Sequence, residues 1–399
     1  MEIYIFVCMI LMIPALFSYK KHISFNVMMF LFVPLFLLSA MRYNIGRDYD
    51  SYMIIFNDPE KMQVREKGYM LLNNLAVNYD LSLQAVIIIY AMFTLIFAFL
   101  FISENSKNKI LSLFIFYTYT PFYLQTLNTL RQGLAIYIFM YTTRFIRERK
   151  LFKYCFFILM AAFFAHNSVL VTLPLYFLLN RKYRAITKMI LIGIFVCMSG
   201  FMDLIIKKTP YAVYLLGSTG EGGFSPVFIL DVFLCMVIVL FMANNYEYIF
   251  YNIALLSLCI LSIGIILNES PIFVVISRIN EFFLPALIIM IPSLIQKLKK
   301  YKKIIYYTCI ACFFLVFYFS MTENGVANQL VPYKTFLGVY NTGIFFDISM
   351  VMIAGIFSLF LLKVSNISHK NEINNPFTRI FIYKRKLNFK NNRKINYEF

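Results

Sequence analysis

Residues 82–102 read SLQAVIIIYAMFTLIFAFLFI, a run of 21 residues that contains no charged side chain. A helix of about 20 apolar residues is long enough to cross the hydrocarbon core of a bilayer. Similar runs recur along most of the 399-residue chain, in which 61% of residues are hydrophobic and 14% are charged. Soluble domains carry about 25% charged residues. The sequence therefore predicts an all-α, polytopic transmembrane helical bundle.

The number of crossings is predicted from the apolar runs, of which we count thirteen, within a range of 11 to 14. They lie near residues 2–18, 24–41, 82–102, 110–125, 128–143, 154–165, 168–180, 187–205, 226–243, 248–267, 279–295, 304–320 and 346–362. Glu2 is the only charged residue before Lys20, so the first run lacks the basic start of a secretory signal. We expect it to be retained as a helix.

The formal charge of +18 predicts the orientation of the chain rather than a nucleic-acid partner, because no basic domain or base-stacking platform accompanies it. With the N-terminus outside, 27 of the 37 Lys and Arg residues fall in inner loops or in the C-terminal tail. Cytoplasmic loops of membrane proteins carry such an excess. We therefore expect an outer N-terminus and a cytoplasmic C-terminus.

This topology gives one transmembrane domain at residues 1–363 and a basic cytoplasmic tail at residues 364–399. The outer loops are expected at about residues 42–81, 206–225, 268–278 and 321–345. Basic clusters flank both ends of residues 154–180, so a single helix there would place one cluster on the wrong face. We expect two short helices that turn at Ala165-His166-Asn167-Ser168.

All seven cysteines lie in apolar stretches, where they are expected to pack as small hydrophobic side chains. No disulfide, redox centre, metal site or cofactor is predicted.

Ten basic residues remain outside in this topology, and three of them lie where a span meets the outer boundary: Arg42, Arg131 and Arg278. An arginine at such a position either reaches toward lipid headgroups or binds an anion. Arginines at three separate spans favour a shared anion site, because planar guanidinium groups suit phosphate and carboxylate.

The first long outer loop combines carboxylates, arginines and tyrosines, from Arg42 to Tyr52 and again from Glu66 to Tyr69. Such a mixture is typical of sugar-binding clefts, although a solvated loop has a similar composition. His166, at the predicted turn, is a candidate proton acceptor because its intrinsic pKa lies near neutrality. The alternative is a polar residue whose hydrogen bonds are satisfied by the neighbouring backbone.

Several short motifs resemble those of a known family. They are Arg42-x-x-x-Gly46-x-Asp48-Tyr49-x-x-Tyr52, Glu66-x-Gly68-Tyr69, Asn128-Thr-Leu-Arg131-Gln132-Gly-Leu-Ala135, Phe164-Ala-His166-Asn-Ser168, Ser277-Arg278-Ile-Asn-Glu281-Phe-Phe283 and Pro332-Tyr333-Lys334. Their order over residues 40–340 is similar to that in bacterial polysaccharide repeat-unit polymerases of the Wzy and EpsG type. Where that family often has Gly-Thr-Asp, this chain has Gly46-Arg47-Asp48.

The resemblance implies a metal-independent glycosyltransferase at the outer face of the bacterial cytoplasmic (inner) membrane. A growing glycan on undecaprenyl pyrophosphate would be the donor, and one lipid-linked repeat unit would be the acceptor. The product would be O-antigen of lipopolysaccharide, capsule or exopolysaccharide. Membrane lipids are expected partners, and a chain-length regulator and a flippase are candidate partners.

The residues and the resemblance together suggest roles for the side chains. Arg131 and Arg278, supported by Arg42, would bind the pyrophosphate, because negative charge develops there as the anomeric bond breaks. His166 or Asp48 would accept the proton of the attacking hydroxyl. The predicted sugar-binding residues are Tyr49, Tyr52, Glu66, Tyr69, Gln132 and Tyr333.

Three alternatives remain open at this point. A transporter or lipid-linked sugar flippase would also have many spans and intramembrane arginines, but the inverted repeats common in transporters are not evident. A membrane acyltransferase that modifies polysaccharide would use outer His and Arg residues, which we would expect near the first span, where His22 lies on the inner side. A non-enzymatic scaffold within a synthesis complex is the third.

Overall fold

The computed structural model describes residues 1–19, 25–61, 64–209, 212, 225–242, 248–298, 300–327, 329–338, 351–352, 355–356 and 363. Three sequence predictions fall wholly or mostly outside these ranges. They are the outer loop at 206–225, the last span at 346–362 and the basic tail at 364–399.

Every regular element in the described ranges is helical, so the all-α prediction is confirmed there. The α-helices are α1 (Glu2–Phe17), α2 (Phe25–Ala40), α3 (Tyr49–Asn57), α4 (Lys67–Asn78), α5 (Leu83–Asn105), α6 (Lys109–Thr118), α7 (Tyr123–Asn128), α8 (Leu130–Arg147), α9 (Leu151–Phe164), α10 (Leu175–Leu178), α11 (Ala185–Met198), α12 (Met202–Lys207), α13 (Pro226–Phe241), α14 (Tyr248–Ile266), α15 (Ile272–Asn280), α16 (Ala286–Lys297) and α17 (Lys302–Ala327). Short 3₁₀ helices lie at Asn167–Thr172, Ser199–Phe201 and Phe336–Gly338.

Three described helices are long and apolar enough to cross a membrane: Leu83–Asn105, Tyr248–Ile266 and Lys302–Thr322. Several shorter apolar helices of 10 to 17 residues accompany them. Large apolar side chains also face outward, among them Phe152, which is 90% exposed, and Phe30, which is 75% exposed. A soluble protein rarely presents so much apolar surface to water. The chain is a helical membrane protein.

The centre of the bundle is α5, which packs against α2 and α8, while α8 packs in turn against α9. In the 18-residue apolar stretch of α5, 83% of the residues are buried within the protein, whereas in that of Lys302–Thr322 only 33% are buried. A helix that is apolar on all sides and buried belongs to the interior of a bundle. Helices α3, α4 and α8, which carry or flank site residues, pack against this central helix, whereas α15 packs against α14.

The predicted span at 110–125 is not one continuous helix, because α6 ends at Thr118 and a separate short helix, α7, begins at Tyr123. Pro121 lies between them, and a proline disfavours the helical conformation of the residue before it. The predicted span at 279–295 is likewise divided between two helices. Helix α15 already begins within the expected outer loop 268–278, and α16 starts only after Pro285, whose fixed φ suits the start of a helix.

Two other predicted segments contain more structure than expected. The outer loop 42–81 holds the two helices α3 and α4. Residues 154–180 form a hairpin as predicted, in which the returning arm is a 3₁₀ helix followed by the single turn α10. Tyr154 Oη in the first arm donates a hydrogen bond of 2.6 Å to Thr172 O in the second. The two arms therefore run side by side.

The two ends of the bundle differ in character. At one end, the basic end, Arg144 pairs with Glu104 at 2.8 Å, and Arg147 donates to Asn105 Oδ1 at 2.6 Å. At the opposite end, the site end, four parts of the chain meet. They are the segment after α2, the start of α8, the turn after α9 and the residues 329–336.

Candidate active site

The segment after α2 is fixed by residues from near the end of the described chain. Arg42 and Thr335 form an antiparallel β-bridge, and Tyr43 N donates to Lys334 O at 3.0 Å. The Arg42 side chain is 1% exposed and donates from Nη1 to the carbonyl oxygen of Leu127. Arg42 therefore joins the end of α2 to the end of α7.

Gly46 allows the chain to turn from this segment into α3. Its φ of +97° lies in a region that L side chains rarely adopt, and a Cβ there would also strike the carbonyl oxygen of Leu127. The next backbone amide, that of Arg47, donates to Asn128 Oδ1 at 3.1 Å. Asp48, the N-cap residue of α3, is thereby held beside the start of α8.

Arg131, in the first turn of α8, is enclosed by an acidic and two aromatic side chains. Its Nη1 lies 2.8 Å from Glu66 Oε2. Its guanidinium lies over the ring of Tyr69, 5.0 Å from the centroid, and 5.8 Å from that of Tyr52. Such cation–π contacts fix the plane of the guanidinium as well as its charge.

The second oxygen of Glu66 reaches the hairpin turn. Glu66 Oε1 accepts from the backbone N–H of Asn167 at 3.1 Å. His166, one residue earlier, caps the 3₁₀ helix, because its Nδ1 accepts from the backbone N–H of Ser168 at 3.2 Å. The Ser168 hydroxyl oxygen is also 2.6 Å from Nδ1. Glu66 thus couples the position of Arg131 to that of His166.

Arg278, near the end of α15, is held less tightly. Its Nη1 lies 3.7 Å from Glu281 Oε1, beyond hydrogen-bond distance, and has no hydrogen-bond partner among the described residues. Gln132 Nε2 donates to the Arg278 carbonyl oxygen at 2.8 Å, and Gln125 Nε2 donates to Glu281 Oε1 at 3.0 Å. These bonds position the Arg278 backbone and Glu281. The Arg278 side chain is 35% exposed and Nη1 is buried, so the rest of the guanidinium faces the cleft.

These groups surround a polar cleft with a volume of about 190 Å³. The residues that line the cleft are Asp48, Tyr52, Thr129, Arg131, Gln132, His166, Ser168, Val275, Arg278 and Ile279. They come from α3, the start of α8, the hairpin turn and α15. Two guanidinium groups, one carboxylate and one imidazole therefore share a single concave site.

Burial shifts the pKa values of the acidic and imidazole groups of the cleft in opposite directions. Burial raises the pKa of the Asp48 carboxyl, and the charges of Arg278 and Arg131 oppose that shift. Burial lowers the pKa of the His166 imidazole below its usual value, and Arg131 and Arg278 add to the shift, while Glu66 opposes it. A neutral imidazole is therefore favoured near neutral pH.

The cap also determines which nitrogen of His166 carries the proton. A backbone N–H can only donate, so Nδ1 must offer its lone pair to Ser168 N. The proton of the neutral ring then lies on Nε2. As an Nε2–H donor, His166 can hydrogen-bond an oxygen in the cleft. To accept a proton, the ring would have to use the Nδ1 lone pair, and the hydrogen bond from Ser168 N would then be lost.

The structure brings some of the predicted site residues together and keeps others apart. Asp48, Tyr52, Arg131, Gln132, His166 and Arg278 line the cleft, and Glu66 lies behind it on Arg131. Arg42, Tyr49, Tyr69 and Tyr333 are not among the lining residues. Tyr333 Oη donates to Leu38 O at 2.9 Å, and Tyr49 packs edge-on against Tyr43 at 5.7 Å. Burial raises the pKa of Tyr69 to about 12, so its hydroxyl remains protonated.

Sequence reasoning assigned no role to several residues that shape the site. Gln125, Asn128, Ser168 and Glu281 orient the segments that form the cleft. Asn128, Ser168 and Glu281 belong to the same short motifs as Arg131, His166 and Arg278, and this closeness in sequence could have indicated a role in the site. Gln125 gave no such indication, because it lay inside a span that was predicted to be continuous. The described residues contain no group of three or more His, Cys, Asp or Glu side chains able to hold a metal ion.

The fold and the cleft define a class, a helical membrane protein with a polar cleft lined by two arginines at one end of its bundle. Residues 25–335 match the model of the EpsG family, which covers well over half of the chain. The chain belongs to the EpsG family, as the motifs indicated, and is a membrane protein related to polysaccharide polymerases. A comparison with curated proteins and a comparison with solved structures each gave no significant match.

Proposed function

We propose that the protein is a glycosyltransferase that polymerises undecaprenyl-pyrophosphate-linked oligosaccharide repeat units at the outer face of the bacterial cytoplasmic membrane. The growing glycan is the donor and one lipid-linked repeat unit is the acceptor. Membership of the EpsG family supports the link to polysaccharide synthesis. The observation that carries the proposal is the polar cleft, in which Arg131 and Arg278 stand beside Asp48 and His166.

The proposed topology has thirteen crossings, an outer N-terminus and a cytoplasmic C-terminus. Its support is the charge difference between the two ends of the bundle. Lys107, Lys109, Arg144, Arg147 and Lys150 lie at or near the basic end, and cytoplasmic loops are enriched in such residues. The polar cleft is at the other end, so this orientation exposes it to the outer face, where lipid-linked repeat units are joined.

The proposed reaction is a displacement at the anomeric carbon of the donor. The acceptor hydroxyl oxygen forms a bond to that carbon as the bond from carbon to the pyrophosphate oxygen breaks. The bonding electron pair leaves with the pyrophosphate, and the hydroxyl proton passes to a base. Direct displacement of this kind inverts the configuration at the anomeric carbon.

Arg278 and Arg131 differ in what they offer to the leaving pyrophosphate. Arg131 is paired with Glu66 at 2.8 Å and its side chain is 19% exposed, whereas the Arg278 side chain is 35% exposed and its ion pair with Glu281 spans 3.7 Å. Fixed donors that face the atom where negative charge develops stabilise the transition state without reorganisation. Arg278 is therefore the principal pyrophosphate ligand, and Arg131 supports it while holding the site together.

Asp48 is the proposed base and His166 a proposed hydrogen-bond donor. Asp48 is the only carboxylate among the residues that line the cleft, since Glu66 lies behind Arg131. The Nε2–H of neutral His166 donates to a pyrophosphate oxygen or to the bridging oxygen that leaves. This division assigns proton transfer to one residue and charge stabilisation to the other.

A deletion strain, complemented with the wild type or with Arg278→Ala, tests the function. Loss of a polymerase leaves single repeat units attached to the lipid carrier and exposed outside. Loss of a flippase leaves no repeat unit on the outer side. The proposal would be falsified if the deletion strain, lacking any other polymerase, still formed long chains. Purified protein that joins defined lipid-linked repeat units in vitro, without added metal, would support it directly.

A further inference from the structure

A second cavity lies beside the polar cleft and differs from it in chemistry. It is an apolar groove of about 350 Å³ between α4, α5, α8 and α9. Its walls include Leu72, Phe93, Leu134, Ile138, Phe157 and Met160. Tyr90 brings a hydroxyl to the wall, and that hydroxyl is already bonded to the carbonyl oxygen of Phe164. The groove therefore offers hydrocarbon contacts and no free polar partner of its own.

The groove and the cleft are neighbours along one helix. Arg131, Leu134 and Ile138 are spaced by three and four residues, so their side chains lie on one face of α8. Ile138 is about 10 Å along the helix axis from Arg131. The polar cleft is thus at the N-terminal end of α8, and the apolar walls of the groove begin one helical turn further along that helix.

Aromatic rings lie between the two cavities. The guanidinium of Arg131 lies 5.0 Å from the Tyr69 ring centroid, and the Tyr69 ring lies 5.7 Å from that of Tyr90 in an edge-on arrangement. Tyr69 separates the charge of Arg131 from the first wall of the groove. A ligand that spans both cavities must have an anionic head and a hydrocarbon tail.

The groove is open on one side to the surrounding lipid. Phe156 and Met160, on the outer side of α9, are 59% and 39% exposed. At the rise per residue of an α-helix, the groove extends about 12 Å along α5, from Ile89 to Phe97. A long linear tail can therefore enter sideways from the bilayer and does not have to thread through the protein.

We infer that the apolar groove binds the head-proximal isoprene units of a polyprenyl chain whose diphosphate lies in the polar cleft. The choice of occupant rests on the proposed function, which supplies a diphosphate attached to such a chain. The groove holds the donor by its tail and fixes the angle at which the diphosphate meets Arg131 and Arg278. Restricting the reactive group in this way is how remote binding contributes to rate.

The first test measures binding alone and needs no transfer reaction. Purified protein in lipid nanodiscs is irradiated with a polyprenyl diphosphate that carries a diazirine on its second isoprene unit, and the labelled residues are mapped by mass spectrometry. Labelling of α5, α8 and α9 at groove residues, competed by unlabelled polyprenyl diphosphate, supports the inference. Labelling elsewhere overturns it, as does equal labelling of the groove by a diazirine-bearing phospholipid, which would identify an ordinary lipid-filled gap.

The second test compares two substitutions on the same helix. Met160→Trp places a larger side chain in the groove. Leu159→Trp introduces the same side chain at the neighbouring position, which is 55% exposed and does not line the groove. With a long-chain donor, M160W should raise KM about tenfold, while a donor with a single short prenyl unit should be almost unaffected. L159W should resemble the wild type with both donors. Equal behaviour of the two variants contradicts the inference.

The two proposals fail in different ways. If the protein is no polymerase, the wild type transfers no repeat unit from either donor, but photolabelling of the groove is still measured. If the wild type polymerises while the groove remains unlabelled, the function stands and the tail-binding site is wrong.

Discussion

Arg131 and Glu66 form an ion pair of 2.8 Å whose acidic partner is only 6% exposed, and the free oxygen of that carboxylate holds the backbone of Asn167. The pair therefore links the start of α8 to the hairpin turn that carries His166. It is a structural connection as much as a source of charge.

This connection predicts a loss of stability when Glu66 is removed. Glu66→Ala leaves Arg131 without its buried partner, and breaking such a pair costs about 3 kcal/mol of unfolding free energy. We expect a lower thermal midpoint in detergent and loss of polymer. Glu66→Gln, which keeps an acceptor for Asn167 N, should lose less stability than Glu66→Ala. Wild-type stability of Glu66→Ala would contradict the role of the pair.

Arg278 should show the opposite balance between stability and activity. Because its side chain is 35% exposed and its ion pair with Glu281 spans 3.7 Å, Arg278→Ala should fold normally and lower the transfer rate by about 100-fold or more. Arg278→Lys should recover part of the rate, since it restores the charge without the planar fork. Transfer rates with a defined lipid-linked substrate, at matched thermal midpoints, measure this. Full activity of Arg278→Ala would remove it from the reaction.

His166 and Asp48 should respond differently to substitution. Gln at position 166 can place an N–H near the site of Nε2, so we expect His166→Gln to remain within about tenfold of the wild-type rate, whereas His166→Phe should lose about 100-fold. Asp48→Asn removes the proposed base and should be almost inactive. If His166→Gln were as inactive as Asp48→Asn, the donor role of His166 would be wrong.

The pH dependence of the rate gives an independent check on that division. The raised pKa of Asp48 means that its basic form is lost as pH falls through that pKa, so the rate should fall on acidification. The lowered pKa of His166 keeps the ring neutral between about pH 5 and 8. The acidic limb should therefore persist in His166→Gln. Its disappearance in that variant would assign the limb to histidine instead.

Gly68 should be intolerant of any side chain. A Cβ at this position would lie 2.6 Å from Phe164 Cδ1 and 2.8 Å from the Phe163 carbonyl oxygen, so α4 would have to move away from α9. Overpacking of this kind costs about 1 to 3 kcal/mol. Gly68→Ala should lower the thermal midpoint and, because Glu66 precedes α4, the activity too. Ala at Gly193, where a Cβ meets nothing within 4 Å, is the control.

The orientation of the bundle can be measured by thiol labelling in a variant whose seven cysteines are replaced. A cysteine at Tyr79, which is 74% exposed at the site end, should react with an impermeant maleimide added to intact spheroplasts. A cysteine at Lys150, at the basic end, should react only after the membrane is permeabilised. The reverse pattern would place the cleft in the cytoplasm and exclude polymerisation at the outer face.

Hydropathy and charge counting predicted the helical membrane fold and the hairpin turn at His166, because both depend on long-range composition. They missed the breaks at Pro121 and near Pro285, because an apolar run looks continuous in hydropathy whether or not its backbone turns. The short motifs contained six predicted site residues that line the cleft, but also Arg42, Tyr49, Tyr69 and Tyr333, which do not line it. They did not predict that Glu66 pairs with Arg131 or that Arg42 faces Leu127, since partner choice depends on how distant helices pack.

The β-bridge between Arg42 and Thr335 has a consequence for synthesis of the chain. Arg42 leaves the ribosome early, but its backbone partner and the acceptor for Gly46 N, Gln329 O, are translated near the end of the matched family region. A nascent chain that stops before residue 329 would contain every residue of the polar cleft and still leave the Asp48 segment unsupported. Synthesis past residue 335, rather than insertion of the site helices, is then the event that fixes the Asp48 segment in place.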